Sequence, residues 1–263
     1  MSRISDVFKP GYKALIAYIT AGYPSMEATV NTAVTLAKNG CDIIELGIPF
    51  SDPLADGATI QKASHQALME GVTPQACIEA AAEIRQKTTR PLIFMTYYNP
   101  VLNYGLKAFC ESSLNAGING LIVPDLPPEE GTELEEITKK HNLDLIYLLA
   151  PSSTDDRIEL VAEKSRGFIY LVSLTGVTGA RSTLSPELQS FVGRVRAKTK
   201  KPLCIGFGIS TALQAARVAS YADGVIIGSR LIELIEEDSR LTTLKTFIGS
   251  VRQALDAVKN TGR

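Results

Sequence analysis

Short apolar runs alternate along the chain with longer stretches in which apolar residues recur every three to four positions. The runs, rich in Ile, Val, Leu and Tyr, predict strands at 14–21, 42–48, 91–98, 120–125, 144–150, 168–174, 202–207 and 223–228. Helical spacing fills the gaps at 26–39, 74–87, 105–116, 129–141, 155–164, 186–199 and 211–220, with a last helix from about 240 to 259. The strands are apolar on both faces, the pattern of a parallel sheet packed on both sides. Eight strand–helix units of this kind predict an α/β fold, a (β/α)8 TIM barrel. A weak internal echo agrees: Asn39–Gly47, Ala116–Asp125 and Ser220–Gly228 each lead from a small or Gly-containing turn into an apolar strand. With no Ser/Gly linker or charge run, the expectation is a single domain over 1–263 with a short N-terminal extension.

Composition narrows the partners. The chain is 45% hydrophobic and 21% charged, enough apolar content for a large core. A net charge of −1 without a basic run argues against nucleic acid, though a small basic patch could still hold a phosphate. No apolar run approaches the roughly 20 residues of a membrane span, so no membrane partner is expected. The N-terminus lacks the pattern of a signal peptide. Four scattered cysteines, Cys41, Cys77, Cys110 and Cys204, form no CxxC pair and suit reduced thiols. These features lead us to expect a cytoplasmic location.

The densest chemistry lies where the second strand ends. Cys41–Ile48 delivers Glu45, and a loop broken by Pro and Gly then carries Asp52 and Asp56. A buried acid is costly without a partner or a task, and two carboxylates in unlike surroundings can hold different protonation states. Barrel active sites gather at the C-terminal ends of strands. That rim offers Glu45, Asp52, Asp56, Tyr97, Tyr98, Asp125 and Tyr170, followed by glycines in 176–179, 206–210 and at Gly228-Ser229. Glycines let backbone N–H groups approach an anion, and the last loops of this fold often hold phosphate. Each piece also has a structural reading. Glu45 could be a satisfied core acid, Asp52 and Asp56 turn formers, and Tyr18, Tyr97 and Tyr170 packing. Asp125 is expected to cap the helix after it, and His65 and His141 to lie on helix surfaces. No HExxH or carboxylate–histidine cluster points to a metal, and no strand-end lysine suits a Schiff base.

The stretch Glu45-Leu-Gly-Ile-Pro-Phe-Ser-Asp-Pro-Leu-Ala-Asp-Gly57 resembles the signature of the tryptophan synthase alpha subunit family. Ile60-Gln61, Gly71-Val-Thr-Pro74, Tyr97 with Asn99, Asp125-x-Pro127, 176–179 and 206–210 follow in the family's order and span most of the chain. The resemblance implies a (β/α)8 lyase that cleaves indole-3-glycerol phosphate to indole and glyceraldehyde 3-phosphate in tryptophan biosynthesis. It puts Glu45 and Asp56 at the catalytic positions and Tyr170 at an active-site tyrosine. Gly179, Gly208, Gly228 and Ser229 fall at the phosphate positions. Tyr18, Ile60, Met95, Tyr97, Ile122 and Phe207 fall around the indole and glycerol chain. It implies no cofactor or metal in this chain, and a beta subunit carrying pyridoxal phosphate as partner in an α2β2 assembly. Two departures stand out: Ala58 where the family has Pro, which would loosen the loop, and Leu174 where it often has Arg or Val. A regulatory barrel without turnover, another phosphate-sugar barrel enzyme and a lyase without a partner remain the alternatives.

Overall fold

Alternate residues of each strand point to opposite faces, and here the inward set and the outward set form two separate cores. The computed structural model describes residues 4–172, 186–206 and 208–258. Its strands are β1 (Ala14–Thr20), β2 (Ile43–Gly47), β3 (Leu92–Met95), β4 (Gly120–Ile122), β5 (Asp144–Ile146), β6 (Leu148–Leu149), β7 (Ile169–Val172), β8 (Leu203–Gly206) and β9 (Gly224–Ile227). All pairings are parallel, in the order β5-β4-β3-β2-β1-β9-β8-β7-β6.

The two ends of that order, β5 and β6, are separated by one residue, Tyr147, and this closes the barrel. The strand expected at 144–150 is therefore split. Tyr147 donates its N–H to the Ser165 hydroxyl (3.1 Å) instead of to a neighbouring strand, while its carbonyl accepts from the Tyr170 N–H (3.1 Å). Among the described residues, nine short strands occupy the eight barrel positions.

The helices are α1 (Met26–Lys38), α2 (Ala58–Met69), α3 (Pro74–Lys87), α4 (Tyr98–Tyr104), α5 (Leu106–Asn115), α6 (Thr132–Lys140), α7 (Asp155–Lys164), α8 (Pro186–Lys198), α9 (Ala212–Ala219), α10 (Ser229–Glu237) and α11 (Thr242–Asp256). Their starts follow local chemistry. Ser25, Thr73 and Thr154 each accept a backbone N–H three residues on, and Pro74 opens α3 behind its Thr cap. Thr211 and Gln214 form a reciprocal capping box at α9.

Inside the barrel, Ile16, Ile43, Ile93, Ile122, Ile146, Phe168, Cys204 and Ile226 pack into one cluster. The N-terminal segment plugs the lower mouth: Ile4 is fully buried in this cluster, and Phe8 packs on Phe168 with ring centroids 5.9 Å apart. At that same end Asp42 accepts from the Leu15 N–H (2.9 Å) and the Tyr12 hydroxyl (2.7 Å). It pairs with Arg252 of α11 at 3.0 Å, so the last helix is tied to the barrel floor. The opposite mouth is left for chemistry.

Candidate active site

Tyr18 of β1 and Glu45 of β2 are register neighbours, and both line a cavity of about 300 Å³ at the C-terminal end of the strands. The wall also includes Asp56, Ile60, Met95, Tyr170, Gly208, Gly228 and Ser229, so nine of the site residues expected from sequence meet in one place. Gly57, Ile209, Ser210, Ile226, Arg230 and Glu233 join them. The opposite end of the molecule has a larger cleft, about 550 Å³, beside Tyr12, Asp42 and Arg90, but it is open and its Asp42 is already paired with Arg90 and Arg252.

Glu45 is fully buried, and among the described residues neither of its carboxylate oxygens has a hydrogen-bond partner. Burial pushes its carboxyl up to about 8, and the Asp56 charge adds to the rise. Asp56 is half-buried on the loop before α2. Burial lifts it to about 6, while a hydrogen bond from Tyr97 works in the opposite direction. The two surroundings thus separate the acids, Glu45 being the one that holds its proton to higher pH.

Tyr97 is not on the cavity wall; it stands behind the loop. Its hydroxyl accepts from the Ala55 N–H at 2.9 Å, and its ring stacks on Phe50 with centroids 5.2 Å apart. Gln61 adds a bond from its side-chain amide to the Asp56 carbonyl (2.9 Å). Ala58 opens α2 directly after Gly57, at a position where an N–H has no helical partner in any case.

Two tyrosines owe their positions to glycines on neighbouring strands. A Cβ on Gly47 of β2 would collide with the Tyr18 hydroxyl, and one on Gly206 of β8 with the Tyr170 hydroxyl. Gly206, first placed among the phosphate glycines, therefore makes room for a ring; Gly208 is the member of that pair on the wall. Burial and the nearby Glu45 and Asp56 raise both tyrosine hydroxyls, keeping them neutral donors.

The other expected residues sort as follows. Ile122, register partner of Met95, is buried in the barrel interior and absent from the wall. Gly179, Phe207 and Leu174 lie outside the described residues. Asp52 is exposed and bonded to the Ser51 hydroxyl at 2.5 Å. Asp125 does not cap α6. Its carboxylate accepts from the Tyr98 N–H at 2.9 Å and caps α4 instead, because a short helix follows β3 directly and presents its free N–H groups there. His65 is exposed on α2, and His141 caps the end of α6. Among the described residues no group of three or more His, Cys, Asp or Glu could hold a metal ion.

Comparison with known proteins decides the family. The chain matches the profile described as tryptophan synthase alpha chain over residues 4–259. It is 56% identical over 256 residues to the tryptophan synthase alpha chain of Dehalococcoides mccartyi, covering 97% of this chain and 100% of that one. The chain belongs to the tryptophan synthase alpha chain family. The alpha chain of Geobacter sp. strain M21 is 45% identical over 262 residues, covering 97% of this chain and 98% of its own. Among solved structures, Mycobacterium tuberculosis tryptophan synthase superposes with a TM-score of 0.90 at 41% identity, covering 97% of this chain and 98% of that chain. The Legionella pneumophila alpha chain gives 0.89 at 36% identity, with 98% of both chains covered. The fold is that of the family's TIM barrels. Its members are lyases of tryptophan biosynthesis that cleave indole-3-glycerol phosphate, and that is the activity of this chain.

Arg230, Glu233 and Ile226 were not singled out from sequence. Ile226 reads as one more strand residue. Arg230 and Glu233 read as the charged face of a helix until the start of α10 is seen to form the cavity wall.

Proposed function

We propose that Glu45 and Asp56 carry the cleavage, and the observation behind this is the unpartnered, fully buried Glu45 carboxyl on the same wall as a second acid. In a retro-aldol reaction, a proton added to indole C3 turns the ring into an iminium-like electron sink. The bond between C3 and the glycerol carbon then breaks, its electrons return to the ring, and the departing carbon becomes the aldehyde as its hydroxyl gives up a proton. A carboxyl held near 8 is suited to deliver the first proton, and once ionised it can accept the second. Ionised Asp56 would hold the indole N–H and stabilise positive charge on the ring. Tyr18, Ile60, Met95 and Tyr170, with Phe207, would shape the organic pocket; Tyr97 would act through the loop it holds and Ile122 as the packed layer beneath. Gly179, Gly208, Gly228 and Ser229 would bind the phosphate, the last two at the N-terminus of α10.

This chemistry asks for neither metal nor cofactor in this chain. A pyridoxal-phosphate-bearing beta subunit in an α2β2 assembly is the partner we assign, in the cytoplasm, with the whole of 1–263 as one domain. The tip of the loop carrying Asp56 supports a protein partner: Leu54 is 93% exposed, an unusual position for a large apolar side chain. The test is indole release from indole-3-glycerol phosphate by the purified chain, with and without a beta subunit. Acceleration by the partner is expected; equal rates would remove the partner, and no release in either condition would remove the catalytic assignment.

A further inference from the structure

Two charged side chains of α10, Arg230 and Glu233, stand on the cavity wall with Gly208, Ser210, Gly228 and Ser229. Arg230 Nη1 lies 3.0 Å from Glu233 and 3.3 Å from Glu237. It is the sole cationic side chain on this wall among the described residues, where Glu45, Asp56 and Glu233 are all acids. A phosphate dianion at Gly228 and Ser229 would share the cavity with the Asp56 and Glu233 carboxylates. Backbone N–H groups and the half-charge at the start of a nine-residue helix offset only part of that. Arg230 is the second residue of α10, one position after Ser229, while its guanidinium runs the other way, along the helix to Glu233 and Glu237 one and two turns on. A rotamer change that turns the guanidinium back toward Gly228 and Ser229 would bring its five-donor fork to a phosphate oxygen in exchange for those two carboxylates.

We propose that Arg230 is a specificity-determining residue of this cavity, the positive charge that selects a phosphate dianion and leaves Glu233 and Glu237 to meet it. This rests on the reading of Gly208, Gly228 and Ser229 as phosphate ligands. An ordinary surface pair on α10 would explain the Arg230–Glu233 distance equally well, but it would leave ligand affinity untouched.

Titration calorimetry with glycerol 3-phosphate separates the two. Arg230→Gln is expected to weaken binding roughly tenfold or more, the worth of one charge-assisted hydrogen bond. Arg230→Lys should recover part of that loss, since it restores the charge without the fork. Glu233→Gln should tighten binding by removing a competing carboxylate. Added salt should weaken the wild type more than Arg230→Gln, because the screened charge is gone in the variant. In indole release, Arg230→Gln should raise KM by a larger factor than it lowers kcat. Wild-type affinity and salt dependence in Arg230→Gln would overturn the proposal and leave the phosphate site standing. A wild-type chain that ignores glycerol 3-phosphate would overturn the phosphate reading, and this proposal with it. Should Arg230→Gln fail to fold, Arg230→Lys and Glu233→Gln decide: affinities within twofold of wild type in both would overturn it.

Discussion

Neither oxygen of Glu45 has a hydrogen-bond partner among the described residues, so an ionised carboxylate there would lose its hydration and gain little in return. The folded chain keeps this proton up to about 8, whereas an unfolded chain gives it up near the ordinary 4.5. Below 4.5 both states are protonated. As pH rises between the two values only the unfolded state ionises, and stability is lost across that window. Glu45→Gln removes the titration. Its stability relative to wild type should rise from pH 4.5 to 8, by on the order of 5 kcal/mol in urea unfolding. A constant difference would mean Glu45 is not held protonated. The same pair shapes activity. If Asp56 must be ionised and Glu45 protonated, kcat/KM for indole-3-glycerol phosphate should rise through about 6 and fall through about 8. The residual activity of Asp56→Asn should keep the alkaline limb and lose the acidic one; an unchanged acidic limb would transfer that role elsewhere.

At the level of elements, α3 and α7 match their sequence ranges residue for residue, because Thr caps, a leading Pro and regular apolar spacing all agree there. Three helices went unread for different reasons. α2 buries only Ala63, Ser64 and Ala67, so its apolar stripe is too small to announce itself. α4 has seven residues and begins inside the run 91–98, whose composition predicts strand to its end. α10 was absorbed into the span between the last strand and the last helix, although Leu231, Ile232, Leu234 and Ile235 mark its buried face. The acids were legible because a carboxylate on an apolar strand is conspicuous in any reading. The contribution of α10 was not, since only the folded start of that helix brings Arg230 and Glu233 to the cavity. Nor did sequence reveal that Gly47 makes space for Tyr18. Gly47→Ala should force that ring to move, lowering stability by about 1–3 kcal/mol and raising KM. Gly249→Ala on α11, where an added Cβ meets nothing within 4 Å, is the control and should stabilise slightly. Matching KM and thermal midpoints in both variants would mean Tyr18 accommodates the methyl group freely.

Across the molecule, the barrel divides its labour between its two ends. The lower end is closed by the N-terminal segment and by the Asp42–Arg252 tie to α11, while the upper end keeps an unsatisfied acid. Without Asp42 the Arg252 guanidinium keeps Asp256 at 2.7 Å, but the buried Leu15 N–H loses its acceptor. Asp42→Ala should therefore cost about 1–3 kcal/mol in urea unfolding, with KM for indole-3-glycerol phosphate unchanged under folded conditions. A raised KM would show that the floor and the active end are coupled. The overall architecture was readable because eight repeats of one pattern reinforce each other. The closure through a split strand at Tyr147 was not, since it depends on where one N–H finds its acceptor.

Indole release from indole-3-glycerol phosphate by Glu45→Gln, compared with wild type at neutral pH, tests the central claim most directly. Glutamine preserves the shape of the side chain but cannot transfer the proton, so the rate is expected to fall roughly 10²- to 10⁴-fold in a folded variant. A rate within a few-fold of wild type would contradict the assignment of Glu45 as the group that moves the proton.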